Sequence, residues 1–345
     1  MARDGLYFLV PCTAQGQQLC TRRYRFLSME FGIDLGGMYE SPAYYLDRAE
    51  SVEAAGFDTL WFGDHIQPWF HDDGRAPFAW SWMPAAMERT ESIPVGVFVT
   101  PPLFRYHPLV IANAVATLDE LYPGRFLLGV GTGERMNEHP FVDEWPSWDE
   151  RGARLREAID ILRRYWTADD FFGYDGDQFS FDPVYPYEQP EEDVPVYVAA
   201  SGPKSARLAA ECGDHVITIA GIPDVEERVI DTYREHGGDG EVVIQTVGGY
   251  GDAERLVDRV MDSFASTLIP ENFDETDPRT LQASTDQVSR DEVRDAFLIA
   301  EDPTDVLAWV DEQADRGADH VVVTDVSYEQ DEFYRVAADD VLPEL

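Results

Sequence analysis

The chain has 345 residues, 44% of them hydrophobic, and carries 67 acidic against 26 basic side chains, for a formal net charge of −41. So acidic a protein excludes nucleic acid and anionic membrane as partners, both of which need a basic footprint, while eight tryptophans and 19 phenylalanines argue for a packed core rather than an acidic disordered chain. Lys204 is the only lysine and the acid load runs through the whole sequence, a pattern suited to a salt-saturated cytoplasm in which ionic strength screens self-repulsion.

Three cysteines, Cys12, Cys20 and Cys212, are too few for a disulfide framework in a chain of this size and fit a reducing cytoplasm. The apolar run at residues 5–11 is short for a signal core, and no run approaches the roughly 18–20 residues of a membrane-spanning helix. Met29 opens a clean strand pattern, so translation is expected to start there, leaving residues 1–28 as a poorly ordered extension and 29–345 as one domain. Strands are predicted at Glu30–Leu35, Thr59–Phe62, Val95–Phe98, Phe126–Val130, Val194–Ala199, His215–Ala220, Glu241–Thr246 and His320–Thr324. Helical patterns cover Pro42–Ala55, Trp82–Arg89, Pro108–Leu121, Trp148–Trp166, Lys204–Glu211, Asp224–His236, Ala253–Ala265 and Thr304–Gly317. Eight strands alternating with eight helices predict an α/β protein of the (β/α)8 TIM-barrel type, with an open doubly wound sheet as the alternative. Two stretches break the alternation, Phe171–Glu192 and Ser266–Arg290, and are expected as insertions at the C-terminal mouth of the barrel.

Three constellations carry chemistry. The run Asp64-His65-Ile66-Gln67-Pro68-Trp69 follows the second strand, at the end where parallel α/β folds bind ligands. The run Gly129-Val130-Gly131-Thr132-Gly133-Glu134, with Asn137 and Glu138 after it, is a poor dinucleotide fingerprint, because Glu134 stands where the third glycine belongs. Its glycines still allow a flat molecule close to the backbone, and a barrel would bring Glu134 and His65 within reach of one ligand. The third, Ser201-Gly202-Pro203-Lys204-Ser205 at a strand-to-helix junction, combines free N–H groups with a cation as an anion site. Plainer readings compete: a packing histidine, a helix-start carboxylate at Glu134, and a surface lysine behind Pro203. Arg105 reads as a structural ion-pair partner and Trp82 as core, and no His/Cys spacing supports a zinc site.

Together with Ala76-Pro77-Phe78, Ser81-Trp82-Met83, Glu88-Arg89-Thr90, Phe104-Arg105-Tyr106 and Leu121-Tyr122-Pro123, these motifs make the chain resemble the luciferase-like superfamily. Within it, the chain is similar to the glucose-6-phosphate dehydrogenases that use the deazaflavin coenzyme F420. The resemblance implies a homodimer of (β/α)8 barrels with the deazaflavin in the mouth. Asp64 would hold the cofactor, His65 would take the substrate hydroxyl proton, Trp69 would brace the reacting geometry and Glu134 would protonate the ring. Phe98 and Val99 would form a non-prolyl cis peptide bulging against the ring. Gly131, Thr132, Gly133 and Asn137 would line the ring or its tail, and Ser201, Gly202 and Lys204 would meet the phosphate. Where the family places substrate-phosphate cations this chain has Ile222 and Ala296, with Arg294 near the second, and Met38 replaces a sugar-facing carboxylate. A dianion without its cations loses several charge-assisted hydrogen bonds. The expected activity is therefore F420-dependent hydride transfer with an alcohol or sugar hydroxyl other than glucose 6-phosphate, the alternatives being a flavin-mononucleotide (FMN) monooxygenase and a deazaflavin-binding protein without turnover.

Overall fold

The computed structural model describes residues 29–345 apart from 192, 223 and 224; the extension expected over 1–28 lies outside the described residues. Short blocks rich in Val, Ile, Phe and Trp form the strands β1 (Glu30–Asp34), β2 (Thr59–Phe62), β3 (Val95–Thr100), β4 (Phe126–Val130), β5 (Val196–Ala199), β6 (His215–Ile219), β7 (Val242–Tyr250) and β8 (His320–Asp325). Each pairs in parallel with the next, and β8 returns to β1 in a register running from Glu30↔His320 to Asp34↔Thr324. The ring is closed, which rules out the open doubly wound sheet. Both faces of such strands are covered, so they read as continuous apolar runs. Trp61, Phe98, Tyr197, Ile217, Val243 and Val322 fill the barrel interior, and a larger core lies between strands and helices. Trp82 belongs to that outer core, its indole stacked on Phe62 at 4.1 Å.

Helix starts follow local signals. Ser41 caps Pro42–Ala55, and Ser147 with Glu150 forms a reciprocal capping box on Trp148–Thr167. The order of helices differs from expectation near the C-terminus. The helix Ala253–Met261 belongs to an insertion after β7, the barrel helix that leads into β8 is Pro303–Arg316, and the eighth, Gln330–Val336, was not anticipated. The insertion is built from short turns and the helices Pro278–Ser284 and Arg290–Ala296, and it ends in a strand, Leu298–Ala300, paired with Gly248–Tyr250 of β7. An added Cβ at Gly248 would sit 2.4 Å from the Leu298 carbonyl oxygen, so that pairing requires glycine.

The second insertion covers the mouth. The first forms a hairpin, Phe172–Asp175 with Ser180–Val184, which follows a helix and so starts from the opposite end of the barrel. It lies along the outside of Trp148–Thr167, where Tyr174 donates to Asp160 at 3.0 Å and the Glu157 carboxylate accepts from the backbone of 177–179.

Glu30, at the end of the barrel away from Asp64, is half-buried beside Glu241, Asp58 and Asp319. Burial first, and those carboxylates second, push its carboxyl from 4.5 up to about 7. The folded state therefore holds an extra proton between these values, and this group's contribution to stability is present below the window and lost as pH rises through it. Glu30→Gln is expected to raise the thermal unfolding midpoint near pH 8 while changing it little near pH 4; equal midpoints near pH 8 would contradict the assignment.

Candidate active site

Gly63 ends β2 and leaves Asp64 with a fully buried side chain. Its carboxylate accepts from Thr100 Oγ1 at 2.6 Å and from the Tyr106 hydroxyl at 3.0 Å. Arg105 Nη2 lies 3.3 Å from Asp64 Oδ2 and donates to the Asp64 carbonyl at 2.6 Å, while Arg105 Nε lies 2.8 Å from Glu138 Oε1. One buried guanidinium thus serves two buried carboxylates from different strand ends. Burial pushes the Glu138 carboxyl up to about 7, outweighing the downward pull of Arg105. Arg105 is the ion-pair partner expected of it. The Asp64 carboxylate, expected on a cofactor, is held by two hydroxyl donors and the Arg105 ion pair, and Asp64 lines the cavity.

The loop after β4 is shaped by β3. The Phe98–Val99 peptide is cis, as the resemblance implies, and the β3–β4 register shifts between Val97 and Thr100. A Cβ at Gly129 or Gly131 would come within 2.9 Å of a Val99 methyl, so both glycines make room for the bulge. Gly133, at φ +77°, then turns the chain so closely over Glu138 that a Cβ would meet its Cγ at 2.8 Å. This turn delivers Glu134 and Asn137. Asn137 Oδ1 accepts from the backbone N–H of Ile66 at 2.8 Å and of Gln67 at 3.0 Å. Its Nδ2 donates to Glu134 Oε2 and to His65 Nδ1, each at 3.0 Å, and His65 Nδ1 lies 3.7 Å from Glu134 Oε2. Asn137 is buried and spends its whole hydrogen-bonding capacity on protein. It ties His65 to Glu134, and it lines the cavity beside them.

His65, Trp69 and Glu134 face a cavity of about 460 Å³ at the C-terminal mouth, floored by Phe98, Val99 and Gly131–Gly133. The insertion roofs it: Phe273 meets the Trp69 ring edge-on at 5.7 Å, and Gln67 Nε2 donates to the Thr276 carbonyl at 3.4 Å. At one end stand Ser201, Ser205, Trp145 and Arg151. Arg151 Nε is buried without a partner among the described residues, and its guanidinium stacks 4.4 Å over Trp145. Lys204 is not at this end. Its ammonium pairs with Asp149 at 2.7 Å on the exposed rim, and Gly202 likewise stays outside the cavity wall. The cation placed beside Ser201 is therefore Arg151, which no local motif announces.

The wall also holds Asp34, Thr218, Gln245 and Thr324. Thr324 Oγ1 accepts from Gln245 and donates to Asp34, both at 2.7 Å, and Thr218 Oγ1 is buried without a partner among the described residues. Burial pushes the Asp34 carboxyl up to about 6, against the hydrogen bonds from Gly36 and Thr324. Asp34 closes β1 just as Asp64 follows β2, so the strand-end rule that singled out Asp64 applied to it equally.

Arg105→Met removes the shared cation and leaves two buried carboxylates unpaired, which is expected to destabilise the fold by about 3–5 kcal/mol in denaturant titrations. The loss should shrink below pH about 7, where Glu138 takes a proton. An unchanged denaturation midpoint near pH 8 would mean that Arg105 does not hold these strand ends.

Residues 24–320 match the family model described as luciferase-like monooxygenase. An F420-dependent glucose-6-phosphate dehydrogenase from Gordonia bronchialis is 33% identical over 330 residues, covering 92% of this chain and 97% of the relative. One from Rhodococcus erythropolis is 34% identical over 330 residues, covering 92% and 98%. Among solved structures, an F420-dependent secondary alcohol dehydrogenase in complex with an F420–acetone adduct aligns at a TM-score of 0.85 and 29% identity, over 90% of this chain and 98% of that one. The F420-dependent tetrahydromethanopterin reductase from Methanopyrus kandleri shares the fold, with a TM-score of 0.74 at 18% identity over 92% of this chain and 99% of that one. With the family model spanning most of its length and these relatives aligned nearly end to end, the chain belongs to the luciferase-like family.

Proposed function

We propose that this protein is a coenzyme F420-dependent oxidoreductase that transfers a hydride between the deazaflavin and the hydroxyl- or carbonyl-bearing carbon of a small uncharged substrate, and that glucose 6-phosphate is not that substrate. The observation that carries the reading is the convergence of His65 and Glu134, linked through Asn137, on a cavity floored by the Val99 bulge. Orphaned buried donors in the wall suit the group: Arg151 Nε beside Ser201 and Ser205 matches an anionic tail, and the Phe98–Val99 floor matches a flat ring. When bound, the deazaflavin supplies a two-electron hydride carrier.

The chain's own residues supply the rest. Gly131, Thr132, Gly133 and Val99 would flank the ring, and Ser201, Ser205 and Arg151 would hold the phosphate. Glu134 would hold a proton for the ring, His65 would meet the reacting oxygen, and Trp69 with Phe273 would keep water from it. Around Asp34 the wall offers a carboxyl, an amide and two hydroxyls but no free cation. Arg105 is engaged by Asp64 and Glu138, and Arg294 by Glu254. Ile222 and Ala296 line a separate hollow with Phe297 and Trp309. A phosphate there would forgo charge-assisted hydrogen bonds worth roughly 1.5–3 kcal/mol each. A homodimer in a salt-rich cytoplasm goes with this reading, the assembly being checked by sizing in concentrated potassium chloride.

The test is to incubate the protein in concentrated potassium chloride with oxidised F420 and a panel of secondary alcohols, aldoses and sugar phosphates, following loss of cofactor absorbance. Reduction is expected with an uncharged hydroxyl compound and at most weakly with glucose 6-phosphate. Equal efficiency with glucose 6-phosphate would overturn the substrate claim. Binding of FMN in place of F420 would overturn the cofactor, and tight F420 binding without turnover across the panel would point to a binding protein.

A further inference from the structure

At the end of the barrel away from the cavity, three strand starts turn a histidine and two carboxylates toward one point. Val322 and Val243 fill the barrel interior, so His320 and Glu241, each two residues earlier, lie on the same face of their strands. A Cβ at Gly32 would meet Thr59 Oγ1 at 2.2 Å and His320 Nε2 at 3.0 Å, which puts Gly32, and with it Glu30, on that face of β1. β7, β8 and β1 are neighbours, and Glu30 stands opposite His320 in the register. One ligand atom from each of Glu30, Glu241 and His320 lies within 4.8 Å of the other two.

His320 separates this cluster from the solvated acids elsewhere on the chain, being only 2% exposed. Its Nε2 lies 2.9 Å from Thr59 Oγ1, which also accepts from Trp61 Nε1 at 2.8 Å and has a second lone pair for a ring N–H. Its Nδ1 makes no hydrogen bond among the described residues, and Glu30 Oε2, at 3.8 Å, is too far for one. A buried ring nitrogen is thus aimed, without a partner, into the space between two carboxylates. Burial pushes the imidazole down to about 3, so the ring is neutral, the form in which it binds a metal. Glu241 is oriented from behind by Tyr197, whose hydroxyl donates to its Oε2 at 3.1 Å.

We propose that Glu30, Glu241 and His320 form a binding site for one divalent transition-metal ion of the zinc class at the N-terminal mouth of the barrel. One imidazole nitrogen with two carboxylate oxygens suits zinc, and the nitrogen disfavours magnesium and calcium. Zinc bonds of about 2.0–2.2 Å set ligand atoms roughly 3–4 Å apart, and Glu30, whose side chain is 46% exposed, has the freedom to close the remaining distance. Thr59 and Tyr197 supply the outer partners that fix the ligand tautomer and orientation. The ion would neutralise Glu30 and Glu241, whose mutual repulsion otherwise opposes ionisation, and would join β7, β8 and β1 across the seam where the last strand returns to the first. Its effect is on stability, because it lies at the opposite end of the strands from the reacting groups. No sequence spacing announces the site, since its ligands come from three distant strand starts. The proposal is independent of the hydride-transfer reading.

The test strips the full-length protein with EDTA, transfers it to concentrated potassium chloride near pH 8 and titrates it with zinc against a chromophoric chelator. Salt at that strength screens diffuse attraction to the surface acids, so only a built site competes for the ion. The expected result is one zinc per chain, not displaced by excess magnesium or calcium. Glu30→Gln, Glu241→Gln and His320→Gln are each expected to weaken zinc about a hundredfold, whereas Asp58→Asn, which removes a neighbouring carboxylate outside the ligand set, retains it. Should His320→Gln not fold, the two glutamate variants carry the test. Heat unfolding gives a second readout. Without metal, Glu30→Gln unfolds above the wild type; zinc at a hundredfold excess over its dissociation constant raises the wild type by about 5 °C and leaves the variant where it was. Failure to take zinc in this salt, zinc held equally by Glu30→Gln, an equal loss in Asp58→Asn, or displacement by magnesium would each overturn the proposal.

Discussion

One buried guanidinium organises the reactive end of this barrel. Arg105 comes from the loop after β3, and it reaches both Asp64 after β2 and Glu138 after β4. Taking three charges out of water is costly, and the arrangement persists because Thr100 and Tyr106 satisfy the Asp64 oxygens and the Arg105 backbone N–H donates to Glu138. The consequence runs along the sequence by one step. With Asp64 fixed inward, His65 is the next residue and is carried out into the cavity. Glu138 fixes the other side of the same frame, and the residues just before it, Glu134 and Asn137, close on His65 from there.

The roof depends on that frame. Trp69, Phe70 and Met136 join Phe264 and Leu281 of the insertion after β7 in an apolar cluster of their own. The backbone N–H groups of His71 and Asp72 both donate to the Gln282 side chain at 2.9 Å, joining the loop after β2 to the helix Pro278–Ser284. A mouth covered in this way holds a low-dielectric space over the reacting groups, in which a single hydrogen bond is worth more than in water.

Much of this was legible in the amino-acid order, and for identifiable reasons. Strands buried on both faces read as unbroken apolar blocks, so Thr59–Phe62 and His320–Thr324 stood out, and the rule that barrels work at strand ends led to His65 and Glu134. What stayed hidden were partnerships decided across long separations. The bonds by which Asn137 ties the loop after β4 to Ile66 and Gln67 could not be foreseen, because those residues lie about seventy positions earlier, in another loop. Lys204 sat at a convincing helix start, yet its flexible side chain turns to Asp149 on a neighbouring helix, while Arg151, one turn into that helix, faces the cavity. The hairpin at Phe172–Val184 follows a helix instead of a strand, so it lies along the outside of the barrel and reaches the loop after β3 through its turn, where Phe179 meets His107 and Arg154 bridges the Gln178 and Leu103 carbonyls. The helix Gln330–Val336 is only seven residues long, too short for its periodicity to register.

The circumference of the barrel divides its labour. The residues that hold the frame and face the reacting atoms come from the ends of β2, β3 and β4, whereas Asp34, Thr218, Gln245 and Thr324 come from β1, β6, β7 and β8. No hydrogen bond found among the described residues joins that second arc to Arg105, Asn137 or His65. Descendants of such a chain can therefore exchange one arc residue by residue, acquiring new molecules to act upon, while the frame around His65 and Glu134 is inherited intact.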